Sequence, residues 1–205
     1  MPRVKLGELF SVEGQVALVT GGTRGIGLMI ARGFVENGVR TYVCSRKADA
    51  CEKAAAELSR VGTCIGIPAD LGTMEGVAGL VSELASREPE LHILVNNAGA
   101  NWGAPLDEFP EAGWDKVMDL NLKSAFFVAQ ACVKQMLAEK ATGSLIHMGS
   151  QMGHVGGPTR ALYCASKWGM EGMNKAFALD LAPHGIRSNT IAPTFIRTAL
   201  TVDTF

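Results

Sequence analysis

The sequence predicts an α/β fold: a single doubly wound parallel sheet with helices on both faces. Two observations carry this. Short apolar runs alternate with helical stretches along nearly the whole chain, and a glycine-rich turn joins the first apolar run to the first helix. The apolar runs are continuous rather than alternating, as in strands buried on both faces, and right-handed crossovers then wind the sheet in two directions.

The elements follow in order. "QVALVT" is the first strand candidate, and "GIGLMIARGFVENG" has helical spacing and ends at Gly38, a C-cap signal. "VRTYVC" is β-branched and aromatic, hence a strand. "ADACEKAAAELSRVG" is rich in alanine and charge, hence a helix. "TCIGIPA", "LHILVN", "GSLIHMG" and "IRSNTIAP" complete a set of six strands. Between them, "TMEGVAGLVSELASRE", "EAGWDKVMDLNLKSAFFVAQACVKQMLAEK" and "RALYCASKWGMEGMNKAFALDLAP" read as helices, the second as one long stretch. No linker or repeat divides the chain, so residues 1–205 are expected to form one domain.

Composition narrows the classes. Of 205 residues, 47% are hydrophobic and 19% charged, as in folded globular proteins. A net charge of −1 offers no basic surface for nucleic acid. No apolar run approaches the ~20 residues a membrane helix needs, and "MPRVKLGELFSVEGQ" lacks the apolar core of a signal peptide. The five cysteines form no C-x-x-C pair and fit a reducing compartment. A cytoplasmic protein is expected. No cysteine–histidine spacing predicts a metal site.

"TGGTRGIG", Thr20 to Gly27, lies between the first strand and helix. Glycines there let backbone N–H groups approach a ligand, and a helix N-terminus favours a pyrophosphate. This placement predicts nucleotide binding through Gly21, Thr23, Arg24, Gly25, Ile26 and Gly27, although the spacing departs from G-x-G-x-x-G. Strand two ends "VCSRK", without the carboxylate that holds a ribose 2′-hydroxyl in many NAD-binding proteins. Ser45, Arg46 and Arg24 instead offer donors to a 2′-phosphate, so NADP(H) is expected over NAD(H). In "YCASK", Tyr163 and Lys167 stand four apart on one helix face, where an ammonium favours the phenolate and tunes an acid–base group. Ser150, at the end of strand five, can hydrogen-bond the same substrate oxygen.

The order of these motifs resembles the classical short-chain dehydrogenase/reductase family, a Rossmann fold: "TGGTRGIG", "NNAG" at Asn96–Gly99, Asn121 in "MDLNLKSAF", Ser150, and Tyr163 with Lys167. The resemblance runs from about Val16 to Thr198. It implies that Asn121, Ser150, Tyr163 and Lys167 are catalytic, Asn121 by positioning a water that relays protons to Lys167. It implies that Lys167 also meets the nicotinamide ribose, that Asp70 and Leu71 meet the adenine, and that Asn97, Ala98 and Gly99 line the adenosine ribose. Asn96 is expected to brace the sheet. Pro193, Ile196 and Thr198 would meet the nicotinamide carboxamide and phosphates, with Thr194 standing where the family has a glycine.

His154 and Trp102 are weaker substrate candidates, and His147 reads as a core residue. The resemblance also implies a homodimer or homotetramer packed through the two long helices, which otherwise only cover the sheet. Typical members continue into a seventh strand that this chain lacks, so an incomplete part of a longer enzyme is expected. "FSVEGQVALVTGGTRGIGLMIARG" and "WGAPLDEFPEAGWDKVMDLNLKSAFF" look like bacterial 3-oxoacyl-thioester reductases, including the rhamnolipid-associated type. Gluconate 5-dehydrogenase-like sugar reductases are the alternative. A non-catalytic NADP(H)-binding regulator is the reading from another class; the complete Asn–Ser–Tyr–Lys set argues against it.

Overall fold

A computed structural model describes residue 7, residues 10–198 and residues 201–202. Six parallel strands, β1 (Val16–Thr20), β2 (Arg40–Ser45), β3 (Cys64–Pro68), β4 (Ile93–Asn96), β5 (Gly143–Met148) and β6 (Ile186–Ile191), form one sheet in the order β3-β2-β1-β4-β5-β6. All six anticipated strands are present within a residue or two of their expected ends.

The strands are short and buried on both sides, so successive residues feed opposite cores. Ala17, Val19, Val43 and Val95 pack with Ala31, Val35, Ala54 and Leu58 of helices α1 (Gly25–Glu36) and α2 (Ala48–Leu58). Leu18, Tyr42, Leu94 and Leu145 pack on the other face with α3 (Met74–Arg87), α5 (Ser124–Ala138) and Leu181 of α6 (Ala161–Leu181). This period-two division is why the strands read as unbroken apolar runs. Winding outward in both directions from β1 and β4 leaves a crevice at their C-terminal ends, where the strand order reverses.

Helix ends follow their capping chemistry. Gly38 has φ +77°; its N–H donates to Val35 O, and that of Val39 to Phe34 O, the paired bonds of a Schellman ending. Thr73 caps α3 by accepting from Gly76 N at 3.0 Å.

One expectation is corrected. The stretch from Glu111 to the end of α5 is not one continuous α-helix. Helix α4 (Glu111–Met118) is followed by a π-helical turn, Asp119–Lys123, and α5 then resumes. Such insertions concentrate at functional positions, and this one carries Asn121. Its apolar spacing alone does not reveal the insertion, because helical character continues through it.

Replacing Gly38 with Ala forces a side chain into the left-handed region and against Glu13, whose Cγ would lie 3.0 Å from the new Cβ. The expected result in urea unfolding is a stability loss of about 1–2 kcal/mol with no change in slope.

Candidate functional site

The crevice is wired by backbone and amide contacts before any ionisable group is considered. The Thr20 hydroxyl donates to Val95 O at 3.2 Å and accepts from Asn97 N and Ala98 N at 2.9 and 3.0 Å. Asn97 Nδ2 donates to Thr20 O and Gly21 O. The ends of β1 and β4 are thereby locked together under the glycine turn. Gly21 holds φ +62°, and a Cβ on Gly27 would collide with Asn97 Nδ2 and Gly21 O. The N-cap of α1, Arg24, makes no side-chain cap, and no acidic residue occupies the first turn. The uncapped amides at this end can hold an anion.

The sequence-derived residues fall into place unevenly. Gly21, Thr23, Arg24, Gly25, Ile26 and Gly27 form the turn and the start of α1, with the Ile26 side chain packed on the core. Thr198 Cγ2 lies 3.7 Å from a Cβ position on Gly25, which brings the final segment beside this turn. Arg24 and Arg46 are exposed and, among the described residues, neither takes part in an ion pair or side-chain hydrogen bond. Their charge is available to a ligand. Ser45 is less free: its Oγ donates to Lys47 O at 3.2 Å and contacts Cys51 Sγ at 3.4 Å.

Several side chains expected to face the groove are committed elsewhere. Leu71 is 4% exposed and packs its side chain in the core. Asp70 accepts from Gly72 N at 3.0 Å and remains exposed. Asn97 presents backbone to the groove, as its amide braces the glycine turn; Ala98 and exposed Gly99 follow it. Asn96 braces the sheet as anticipated, donating to Ala125 O at 2.9 Å and meeting His147 Nδ1 at 3.2 Å. The Trp102 ring packs against Gly113 and lies beneath Lys116 Nζ, 5.1 Å from its centroid, as a brace of the loop. Thr194 does not adopt positive φ, so the exchange for glycine brings no left-handed strain. Pro193 O accepts from Gln151 N at 3.1 Å, tying the segment with Ile196 to the Ser150 turn.

Asn121 is fully buried. Its Oδ1 accepts from Ala100 N at 2.7 Å, while Nδ2 donates to Ala100 O and Ser166 Oγ. The side chain therefore staples the loop after β4 to α6.

Ser150, 8% exposed, accepts from Met152 N at 3.2 Å, and its hydroxyl stands near enough to the Tyr163 phenol to favour the ionised form. Lys167 is 5% exposed; its Nζ donates to Met148 O at 2.6 Å and stands 5.7 Å from the centroid of the Tyr163 ring. Burial pulls the Lys167 ammonium down to about 8, opposed by the Glu171 charge. Burial raises the Tyr163 phenol above its usual range, and the Ser150 hydroxyl opposes this. Burial thus outweighs the pull towards phenolate expected of Lys167. The ammonium is drawn to the Met148 carbonyl, and desolvation dominates at the phenol. Burial favours the protonated phenol at Tyr163. His147, within the core as expected, is pushed down to about 4 by burial and then by the Lys167 charge, so it is neutral. His154 is exposed, with Nε2 3.6 Å from Glu171 Oε1. Sequence reading passed over Glu171, Thr190 and the Met148 carbonyl, because Glu171 pairs with Thr190 and Met148 O with Lys167 nineteen positions apart in the chain.

Residues 15–205 match the short chain dehydrogenase family. The chain is 41% identical over 192 residues to the rhamnolipids biosynthesis 3-oxoacyl-[acyl-carrier-protein] reductase of Pseudomonas aeruginosa, covering 90% of this chain and 73% of that protein. It is 33% identical over 199 residues to the gluconate 5-dehydrogenase of Gluconobacter oxydans, covering 95% and 76%. Among solved structures, the Pseudomonas aeruginosa RhlG/NADP active-site complex superposes with a TM-score of 0.90 at 39% identity, covering 95% of this chain and 77% of that one.

Two outcomes test this geometry. Gly27→Ala crowds the Asn97 amide, and the affinity for NADPH, read by fluorescence titration, is expected to fall about tenfold or more. Lys167 has a folded pKa of about 8 against 10.5 when unfolded, so between these values the unfolded chain binds the extra proton. Stability relative to Lys167→Met should therefore rise as pH increases from 8 to 10.5, in thermal melts.

Proposed function

The chain belongs to the short-chain dehydrogenase family, and we propose that it reduces the ketone of a 3-oxoacyl thioester to a secondary alcohol with NADPH. The observation that supports the chemistry is the grouping of Ser150, Tyr163 and Lys167 after the C-terminal end of β5, on the same edge of the parallel sheet as the glycine turn after β1. The similarity to the Pseudomonas aeruginosa 3-oxoacyl reductase supports the substrate class.

The turn from Gly21 to Gly27 fits a dinucleotide pyrophosphate, because its glycines leave no Cβ in the cradle and the helix end has uncapped amides. Arg24 and Arg46, exposed and without an ion-pair partner among the described residues, favour the 2′-phosphate of NADP(H). The nicotinamide supplies the hydride for the carbonyl carbon. Ser150 holds the carbonyl oxygen against the phenol. Tyr163, kept protonated by burial, delivers its proton to that oxygen as the alcohol forms. Lys167, charged and fixed on Met148 O, lies alongside the phenol ring and stabilises the phenolate left behind. In the direction of alcohol oxidation the phenolate takes the proton back.

Resemblance to the gluconate 5-dehydrogenase of Gluconobacter oxydans makes a keto sugar the second substrate class. Phe126 on α5 and Trp168 and Leu179 on α6 are 38%, 54% and 78% exposed. We propose that this face packs in a homodimer or homotetramer. Among the described residues no helix is long and apolar enough to cross a membrane.

Loss of NADPH absorbance with β-ketoacyl thioesters, keto sugars and ketosteroids tests the assignment; turnover is expected with the thioesters, and a strong preference for NADH would overturn the arginine reading. Tyr163→Phe should lower kcat by about 100-fold or more while NADPH still binds. Retained turnover in that variant would sink the proton-donor role.

A further inference from the structure

One buried ionisable group has no role in the chemistry above. Glu171 stands one turn beyond Lys167 on the same face of α6 and is 8% exposed. Its Oε2 accepts from the Thr190 hydroxyl on β6 at 2.8 Å. Its Oε1 is buried without a hydrogen-bond partner and lies 3.6 Å from His154 Nε2. The carboxylate is also wedged into the turn that presents Ser150. A Cβ on Gly149 would lie 2.8 Å from Oε1, and one on Gly153 would lie 3.2 Å from Glu171 Cγ and 3.1 Å from Lys167 O. The glycines on either side of the Ser150 turn thus leave the space that Glu171 fills.

A carboxylate this far from water is costly unless a cation shares its surroundings. The ionisable groups around the Lys167–Glu171 pair are His154 from the Ser150 turn, His147 from β5 and Tyr163 from α6, while β6 contributes the Thr190 hydroxyl. His147 is neutral and cannot supply the balancing charge. Lys167 is the neighbour whose ammonium is stabilised by Glu171 against its own burial.

We propose that Glu171 is a positioning residue of the reaction: its carboxylate, aimed by Thr190 and wedged between Gly149 and Gly153, sets the Ser150 turn against Tyr163 and keeps Lys167 an ammonium. This rests on the assignment of Ser150, Tyr163 and Lys167 as the reacting set. Glu171 touches no reacting atom itself; it acts through the lysine and the turn.

Glu171→Gln keeps the size and an acceptor for Thr190 but removes the charge. The 13Cε resonance of Lys167 reports that lysine's titration directly and needs no substrate. The midpoint is expected at lower pH in the variant, by about half a unit or more. With an active substrate, kcat at neutral pH should fall about tenfold with KM nearly unchanged. An unmoved Lys167 midpoint overturns the proposal. Absence of turnover in the wild-type protein would count against the substrate assignment instead, and the Lys167 titration would still be read. If Glu171→Gln does not fold, Thr190→Val frees the carboxylate from β6 and leaves its charge present. Its Lys167 midpoint should also move down, and an unchanged value there overturns the proposal equally.

Discussion

The site depends on a buried ammonium tied to a strand end. Lys167 Nζ donates to the carbonyl of Met148, the last residue of β5, and this bond fixes α6 against the sheet at the crevice. Taking a lysine charge out of water costs several kcal/mol unless hydrogen bonds and an opposite charge compensate. Here the Met148 carbonyl supplies the first, and Glu171, one turn along the helix, supplies the second. The registry of α6 follows, and with it the position of the Tyr163 phenol over the Ser150 turn. Chemistry and packing are set by the same contact.

A second layer of polar contacts makes the crevice rigid enough to use. Thr20, Asn97 and Asn121 are short side chains buried or half-buried near strand ends, and each satisfies backbone groups that the β-ladder leaves open. Asn121 reaches both the loop after β4 and Ser166 of α6 from its π turn. The fold thus uses amides to hold loops, while Arg24 and Arg46 stay exposed and, among the described residues, without a side-chain partner. Strain is concentrated close by: Thr159, with φ 56°, starts the chain into α6 in a conformation a β-branched residue seldom adopts.

The sequence by itself determined the sheet, its parallel character and the order of its motifs, because burial on both faces imposes continuous apolar runs and glycine is required where backbone must approach a ligand. It also placed Tyr163 and Lys167 on one face, since helical spacing is a local property. The direction of the Tyr163 shift lay beyond it, because that depends on where the Lys167 ammonium goes and how much water the phenol loses. The break in the long helix at Asn121, the burial of the Leu71 side chain and the meeting of Glu171 with Thr190 and His154 were likewise decided by tertiary structure. Each arises between segments distant in the chain or from a hydrogen bond that bends a local preference, and neither leaves a periodic trace in the residues themselves.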